Sequence, residues 1–293
     1  MFDILLNELL TLNSRLESVG ISLILGGGMG LFLRDTYLGG ERSPRYPVRP
    51  ESRSTEDLDV LLTADLIVDA ARMNQLRDVL NALSYKDVVK HFQFERRVDF
   101  EKRVYTVKVD LLAAPPAQND EDLVTIKSIR IRPKASKDIH GYLTKEAAGI
   151  EIGKVPINVR SQTGQDSDND TIIQIPSSFN YLVLKLHAFH DRKDRTDLAS
   201  DLGRHHAFDI FRIITDMREA DWESAARHVM QDNDTKYLKN AAQYQRSYFG
   251  ANTSLGILRL KENEGYRRRR NEFDQYIPDI LADIAELFAD VRV

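Results

Sequence analysis

The chain has no cysteine among its 293 residues. That excludes disulfides, thiolate zinc sites and cysteine nucleophiles, and it fits a reducing compartment. Long apolar runs are absent too, since none approaches the roughly 18 residues of a membrane span. The first residues, Met1-Phe2-Asp3-Ile4-Leu5-Leu6-Asn7-Glu8, carry acids and no basic segment, which argues against a signal peptide. The expectation is a cytoplasmic protein with no membrane association. Excess positive charge is also missing. The net charge is −4, so any contact with nucleic acid has to come from a local basic patch. Neither an internal repeat nor a low-complexity tract occurs. What remains is an ordinary globular composition, 42% hydrophobic and 29% charged, in a chain long enough for a full core and two subdomains.

The most informative stretch is Arg53-Ser54-Thr55-Glu56-Asp57-Leu58-Asp59-Val60-Leu61-Leu62. In a strand, residues i and i+2 share a face, so Asp57 and Asp59 would project together while Leu58 and Val60 enter the interior. Two adjacent carboxylates repel unless a cation lies between them. A hard divalent ion such as Mg²⁺ or Mn²⁺ meets that need. Two exposed acids at a strand end are the competing reading.

In chain order, residues 2–19 repeat apolar positions at near-helical spacing and predict an amphipathic helix. Ile21 to Leu25 reads as a buried strand, broken by Gly26-Gly27-Gly28, and Met29 to Leu38 as a helix. A strand, a glycine turn and a helix start can hold phosphate on free backbone N–H groups. A tight turn needing positive φ explains the same glycines. Residues 39–54 form a loop with Arg42, Arg45, Arg49 and Arg53. A helix is expected over Asp65–Leu83, then strands over His91–Phe94 and Val104–Leu112. The alternation of the last strand puts Asp110 on one face with Lys108, and Val107 and Val109 on the other. Short strands are expected at Val124–Ile131, Gly149–Ile152 and Val155–Val159. Gln162 to Asp170 reads as a surface loop. Beyond residue 176 the chain predicts helices at Tyr181–His190, His205–Met217, 221–231, 235–248 and 268–290.

These pieces resemble the nucleotidyltransferase superfamily of the DNA polymerase β type: Gly26-Gly27, then Asp57-Leu58-Asp59, then Asp110 on a later strand. The spacing from glycines to Asp-x-Asp is longer than usual, and the 39–54 loop accounts for the excess. Within that superfamily the chain is similar to the AbiEii-type toxin family over roughly residues 20–215. Gly26-Gly27-Gly28-Met29-Gly30-Leu31-Phe32-Leu33 resembles that family's glycine segment. Arg53 to Asp59 resembles its Arg-x-Ser-x-Asp-hydrophobic-Asp, with Thr55 in place of Ser. The helix after Pro176, with Lys185, Ala188 and Arg192, resembles its Lys-x-x-Ala-x-x-x-Arg helix. His206-Ala207-Phe208-Asp209-Ile210 resembles its Arg-Asp-x-x-Asp-Leu segment imperfectly, with Asp194 to Arg204 as an insertion.

The resemblance implies an α+β protein. A polymerase β-like nucleotidyltransferase domain, a mixed sheet with flanking helices, would occupy residues 1–175, and a helical domain 176–293. It implies transfer of an NMP from an NTP to an acceptor with release of pyrophosphate. Asp57, Asp59 and Asp110 would hold Mg²⁺ or Mn²⁺, with Asp110 accepting the proton of the attacking hydroxyl. Gly26, Gly27, Gly28, Arg53, Thr55 and Arg192 would contact the NTP. Lys185 would bring charge to the triphosphate, and Asp209 would orient Lys185 or Arg192; a surface lysine is the competing reading. The implied partners are an RNA acceptor such as tRNA and a separate antitoxin, in a type IV toxin–antitoxin or phage-defence system. The arginines of 39–54 and Arg267-Arg268-Arg269-Arg270 are candidate RNA contacts, or else solvated loop and helix surface.

Two other readings remain. Four of the seven histidines fall at His187, His190, His205 and His206. With the His190-Asp191 dipeptide they suggest a His/Asp metal phosphohydrolase. A nucleotide-sensing binder with the transferase fold is the other.

Overall fold

The computed structural model describes residues 2–38, 43, 45–52, 55, 57–159, 171–195 and 201–292. It combines a mixed sheet with several helices. The chain divides into two compact units, one of residues 1–38 and 53–176, the other of residues 39–52 and 177–293. No helix is long and apolar enough to cross a membrane among the described residues.

The first unit holds α1 (Phe2–Glu17), β1 (Ile24–Leu25), α2 (Gly27–Leu38), β2 (Asp57–Leu62), α3 (Ala64–Val68), α4 (Ala70–Ala82), β3 (Lys86–Val89), β4 (Gln93–Phe100), β5 (Arg103–Ala113), β6 (Val124–Lys127), β7 (Arg130–Pro133), β8 (Gly141–Leu143), β9 (Val155–Val159) and β10 (Thr171–Ile175). The strands run β6-β7-β8-β5-β2-β1-β10-β9, with β4 pairing to β5 and β3 to β4. β2 and β5 are parallel neighbours at the centre, which suits strands whose inward residues are all apolar. Leu58, Val60, Leu62, Val107, Val109 and Leu111 are all buried on one face. α1 contributes Leu5, Leu9 and Leu12 to the core, and α4 contributes Met73, Leu76 and Leu80.

Several local expectations need correction. The strand predicted over 21–25 has only two paired residues, Ile24 and Leu25. The helix predicted over 65–83 is broken at Asp69, whose carboxylate accepts from the Ala71 and Arg72 N–H groups at 2.9 and 3.0 Å and so starts α4 afresh. Gly149–Ile152 forms turns rather than a strand. β3 and β8 lack a clear alternating pattern and are held by their neighbours instead. The predicted loop at 162–170 lies outside the described residues.

The second unit contains α5 (Ser178–Arg192), α6 (Arg204–Asp216), α7 (Glu219–Asp232), α8 (Lys236–Phe249), α9 (Leu255–Glu262), α10 (Glu264–Arg268), α11 (Arg270–Phe273) and α12 (Ile277–Leu287). The Ser177 side chain caps α5 by accepting from the Asn180 N–H at 3.2 Å. The helix predicted over 268–290 is three pieces: α11, a 3₁₀ turn at Asp274–Tyr276, and α12 with Pro278 in its first turn. α9 and α10 were not predicted.

Residues 39–52 group with this second unit, although the sequence reading assigns them to the first. Their side chains show why. The Arg45 guanidinium lies 3.8 Å from the Trp222 ring centroid and pairs with Asp283 at 2.6 Å. The Tyr46 hydroxyl donates to the other Asp283 oxygen at 2.6 Å. Arg269 donates to the Arg49 carbonyl at 2.7 Å, and Arg212 to the Ser52 hydroxyl at 2.9 Å.

Candidate metal centre

Strand geometry assembles the site. Along β2 the even positions enter the core, so Asp57 and Asp59 take the opposite, half-buried face. β5 lies parallel to β2 with Asp110 as the register partner of Asp59 and Lys108 as that of Asp57. One oxygen from each of Asp57, Asp59 and Asp110 lies within 4.8 Å of the others. No other group of three or more potential metal ligands occurs among the described residues.

The chemistry of this cluster fits a hard divalent cation. Its donors are three carboxylates with no nitrogen or sulfur, the ligand set of Mg²⁺ or Mn²⁺. Asp110 Oδ1 is enclosed and makes no hydrogen bond. An enclosed acceptor without a partner is costly, and a cation would satisfy it. Burial pushes the Asp110 carboxyl above the usual carboxylate range, and the charge of Asp57 adds to the effect; the Gln93 side chain and Lys108 work the other way. The Thr55 hydroxyl donates to Asp57 Oδ1 at 2.6 Å and fixes that side chain.

The glycines act through space as well as conformation. α2 begins at Gly27, two residues earlier than predicted. Gly27 has φ +59°, and a Cβ there would lie 1.7 Å from Asp59 Oδ2. A Cβ on Gly28 would come within 2.9 Å of Thr55 Cβ. The Gly26 N–H donates to the Asp59 carbonyl at 2.8 Å, joining the turn to the metal-facing strand. Gly27 therefore has the positive φ of the tight-turn reading, and the helix N-terminus comes up against the site carboxylates. Gly27→Ala is expected to destabilise the protein by roughly 1–2 kcal/mol through backbone strain. By displacing Asp59 it should also weaken Mn²⁺ binding about 10–100-fold. A Mn²⁺ titration beside a thermal melt checks both, and an unchanged Mn²⁺ affinity would show that Asp59 is not positioned by this contact.

In the second unit, Lys185 and Asp209 are brought together. Lys185 Nζ is 2.7 Å from Asp209 Oδ2, and Arg212 Nη1 is 3.5 Å from Oδ1. Asp209 is fully enclosed, and the two cations are almost so. His206 is held neutral by burial, its pKa lowered to about 3, with the charge of Lys185 acting in the same direction and that of Asp209 opposing it. Arg192, near the end of α5, adds positive charge that also acts on His206.

No family model and no curated protein matches this chain. The site is therefore read from its own chemistry.

The remaining sequence candidates fall elsewhere. Arg53 lies outside the described residues, as does Arg42. Arg45 is committed to Trp222 and Asp283, and Arg49 lies 3.7 Å from Asp216. In the 267–270 run, Arg268 pairs with Glu264, Arg269 with Glu272 and Arg270 with Asp274. Arg269 is half-buried, whereas Arg267, Arg268 and Arg270 remain exposed on the helical unit. The histidines have structural partners. His187 donates to the Tyr237 carbonyl at 3.0 Å, and His190 stacks on Tyr244 and bonds to the Tyr248 hydroxyl. His205 pairs with Asp201. They form no metal-ligand group with the neighbouring acids among the described residues. Gln93 was missed as a site neighbour. Its place opposite Asp110 depends on the β4–β5 register, which no local pattern announces.

Proposed function

We propose that this chain is a metal-dependent nucleotidyltransferase that moves an NMP from an NTP to an RNA acceptor such as tRNA. The convergence of Asp57, Asp59 and Asp110 beside a glycine-started helix carries this reading. It agrees with the sequence resemblance to polymerase β-like nucleotidyltransferases and, within them, to the AbiEii-type toxins, which would make the protein the toxin partner of a separate antitoxin.

In the reaction an acceptor oxygen forms a bond to the α-phosphorus while the bond to pyrophosphate breaks. Asp57, Asp59 and Asp110 would hold Mg²⁺ or Mn²⁺, which when bound stabilises charge on the attacking and leaving oxygens. Asp110 takes up the proton of the attacking hydroxyl. Thr55 keeps Asp57 oriented, and the first N–H groups of α2 face the triphosphate. Lys185, anchored by Asp209, is the cation that the resemblance assigns to the pyrophosphate.

The test is incubation of the protein with each α-labelled NTP, Mg²⁺, total RNA and total cell protein. The expected result is label on a tRNA-sized band, released pyrophosphate, and neither with Asp57→Ala/Asp59→Ala. Label on protein would replace the acceptor. Tight NTP binding without pyrophosphate release from any acceptor would make the protein a nucleotide sensor.

A further inference from the structure

The sheet face that carries the carboxylates does not end with them. In antiparallel pairing, directly opposed residues share a face. Between β4 and β5 the opposed pairs are Gln93 with Asp110, Glu95 with Lys108, and Arg97 with Thr106. Across the parallel pairing, Lys108 is also the partner of Asp57. Lys108 therefore neighbours two of the three carboxylates, one across the strands and one along β5.

Lys108 is exposed and has no hydrogen bond or ion pair among the described residues, even with Glu95 opposite. Arg97, one step further from the carboxylates, is likewise exposed and unpaired there. A flexible lysine beside three acids would ordinarily collapse onto one of them. Here the acids are turned towards each other, and Lys108 is left facing solvent at the edge of the cluster.

Strand order says which substrate it faces. The glycine turn and α2 lie on the β1 flank of β2. Lys108, Gln93 and Arg97 lie on the opposite, β5–β4 flank. A triphosphate held at the α2 N-terminus occupies the first flank, and the attacking group must approach from the other side of the carboxylates. We infer that the acceptor carries a phosphate close to its attacking hydroxyl, and that Lys108, followed by Arg97, is the positioning residue that grips it. This inference rests on the transferase reading. It adds the acceptor's side of approach and its anionic chemistry, which two sources could supply: the backbone of an RNA or a free nucleotide.

The test compares wild type, Lys108→Ala and Lys108→Arg as full-length protein. Unfractionated tRNA and a nucleoside monophosphate serve as alternative acceptors with labelled NTP and Mg²⁺. Equilibrium binding of fluorescent tRNA without metal supplies a readout independent of turnover. Lys108→Ala is expected to raise the acceptor KM and the tRNA Kd about tenfold, and to lower the salt slope of tRNA binding by about one. The NTP KM should stay unchanged, and Lys108→Arg should recover most of the loss. An equal effect with the monophosphate assigns the contact to a single nucleotide phosphate, and an effect confined to tRNA assigns it to the RNA backbone; either supports the inference. A rise in the NTP KM instead, or no change in acceptor KM and tRNA Kd, overturns it while leaving the transferase reading standing. A wild type that labels only a phosphate-free acceptor also overturns it. A wild type that transfers nothing defeats the transferase reading and this inference together.

Discussion

Asp57→Ala/Asp59→Ala is expected to lower nucleotidyl transfer by at least about 10²–10³-fold, the loss seen when preorganised charge stabilisation is removed from a transition state. The size follows from position. β2 supplies two of the three oxygens in the cluster, and Asp110 alone cannot hold a hard cation against water. Folding is not expected to suffer. Both side chains are half-buried on the face away from the core, and removing them relieves their mutual repulsion and that on Asp110. A thermal melt of the metal-free variant should therefore match or exceed wild type. An inactive variant that also melts early would mean these acids support the fold instead. A variant that retains transfer would mean the chemistry lies elsewhere.

The second large effect is on stability. Asp209→Ala is expected to cost about 3–5 kcal/mol, because it leaves Lys185 and Arg212 enclosed without their shared counter-charge. For a unit of this size that corresponds to a fall of roughly 10 °C or more in Tm. The comparison with Lys185→Met is diagnostic. That variant removes one cation, while Asp209 keeps Arg212 and Lys185 leaves no orphaned charge behind. Its loss should be clearly smaller. Equal melting of wild type and Asp209→Ala would show that the buried cluster contributes nothing to the fold.

How far the sequence foretold this structure depends on the range of the interactions involved. Asp57, Asp59 and Asp110 were legible because strand alternation is local: Asp59 and Asp110 lie between apolar residues that must enter the core, and Asp57 shares a face with Asp59 across Leu58. That the two strands lie side by side is a long-range fact, and the sequence offered it only through the resemblance. The same limit hid Gln93 and the open position of Lys108 at the end of the cluster, both set by register. Local chemistry also misled. Asp69 sits within a helical pattern but stops one helix and caps the next. Charge counts do not show partners either: in the fold Arg45 meets Trp222 and Asp283, Arg268 meets Glu264, Arg269 meets Glu272 and Arg270 meets Asp274. The histidines of α5 looked like metal ligands for the same reason, and tyrosines occupy them.

The central claim is that three carboxylates on two parallel strands form a divalent cation site. Titrating Mn²⁺ into the metal-stripped protein, with the free ion followed by electron paramagnetic resonance, tests it most directly. The predicted result is at least one bound equivalent in the wild type, displaced by Mg²⁺ and lost in Asp59→Ala and Asp110→Ala. Binding that is absent from the wild type, or that survives both substitutions, would contradict the account.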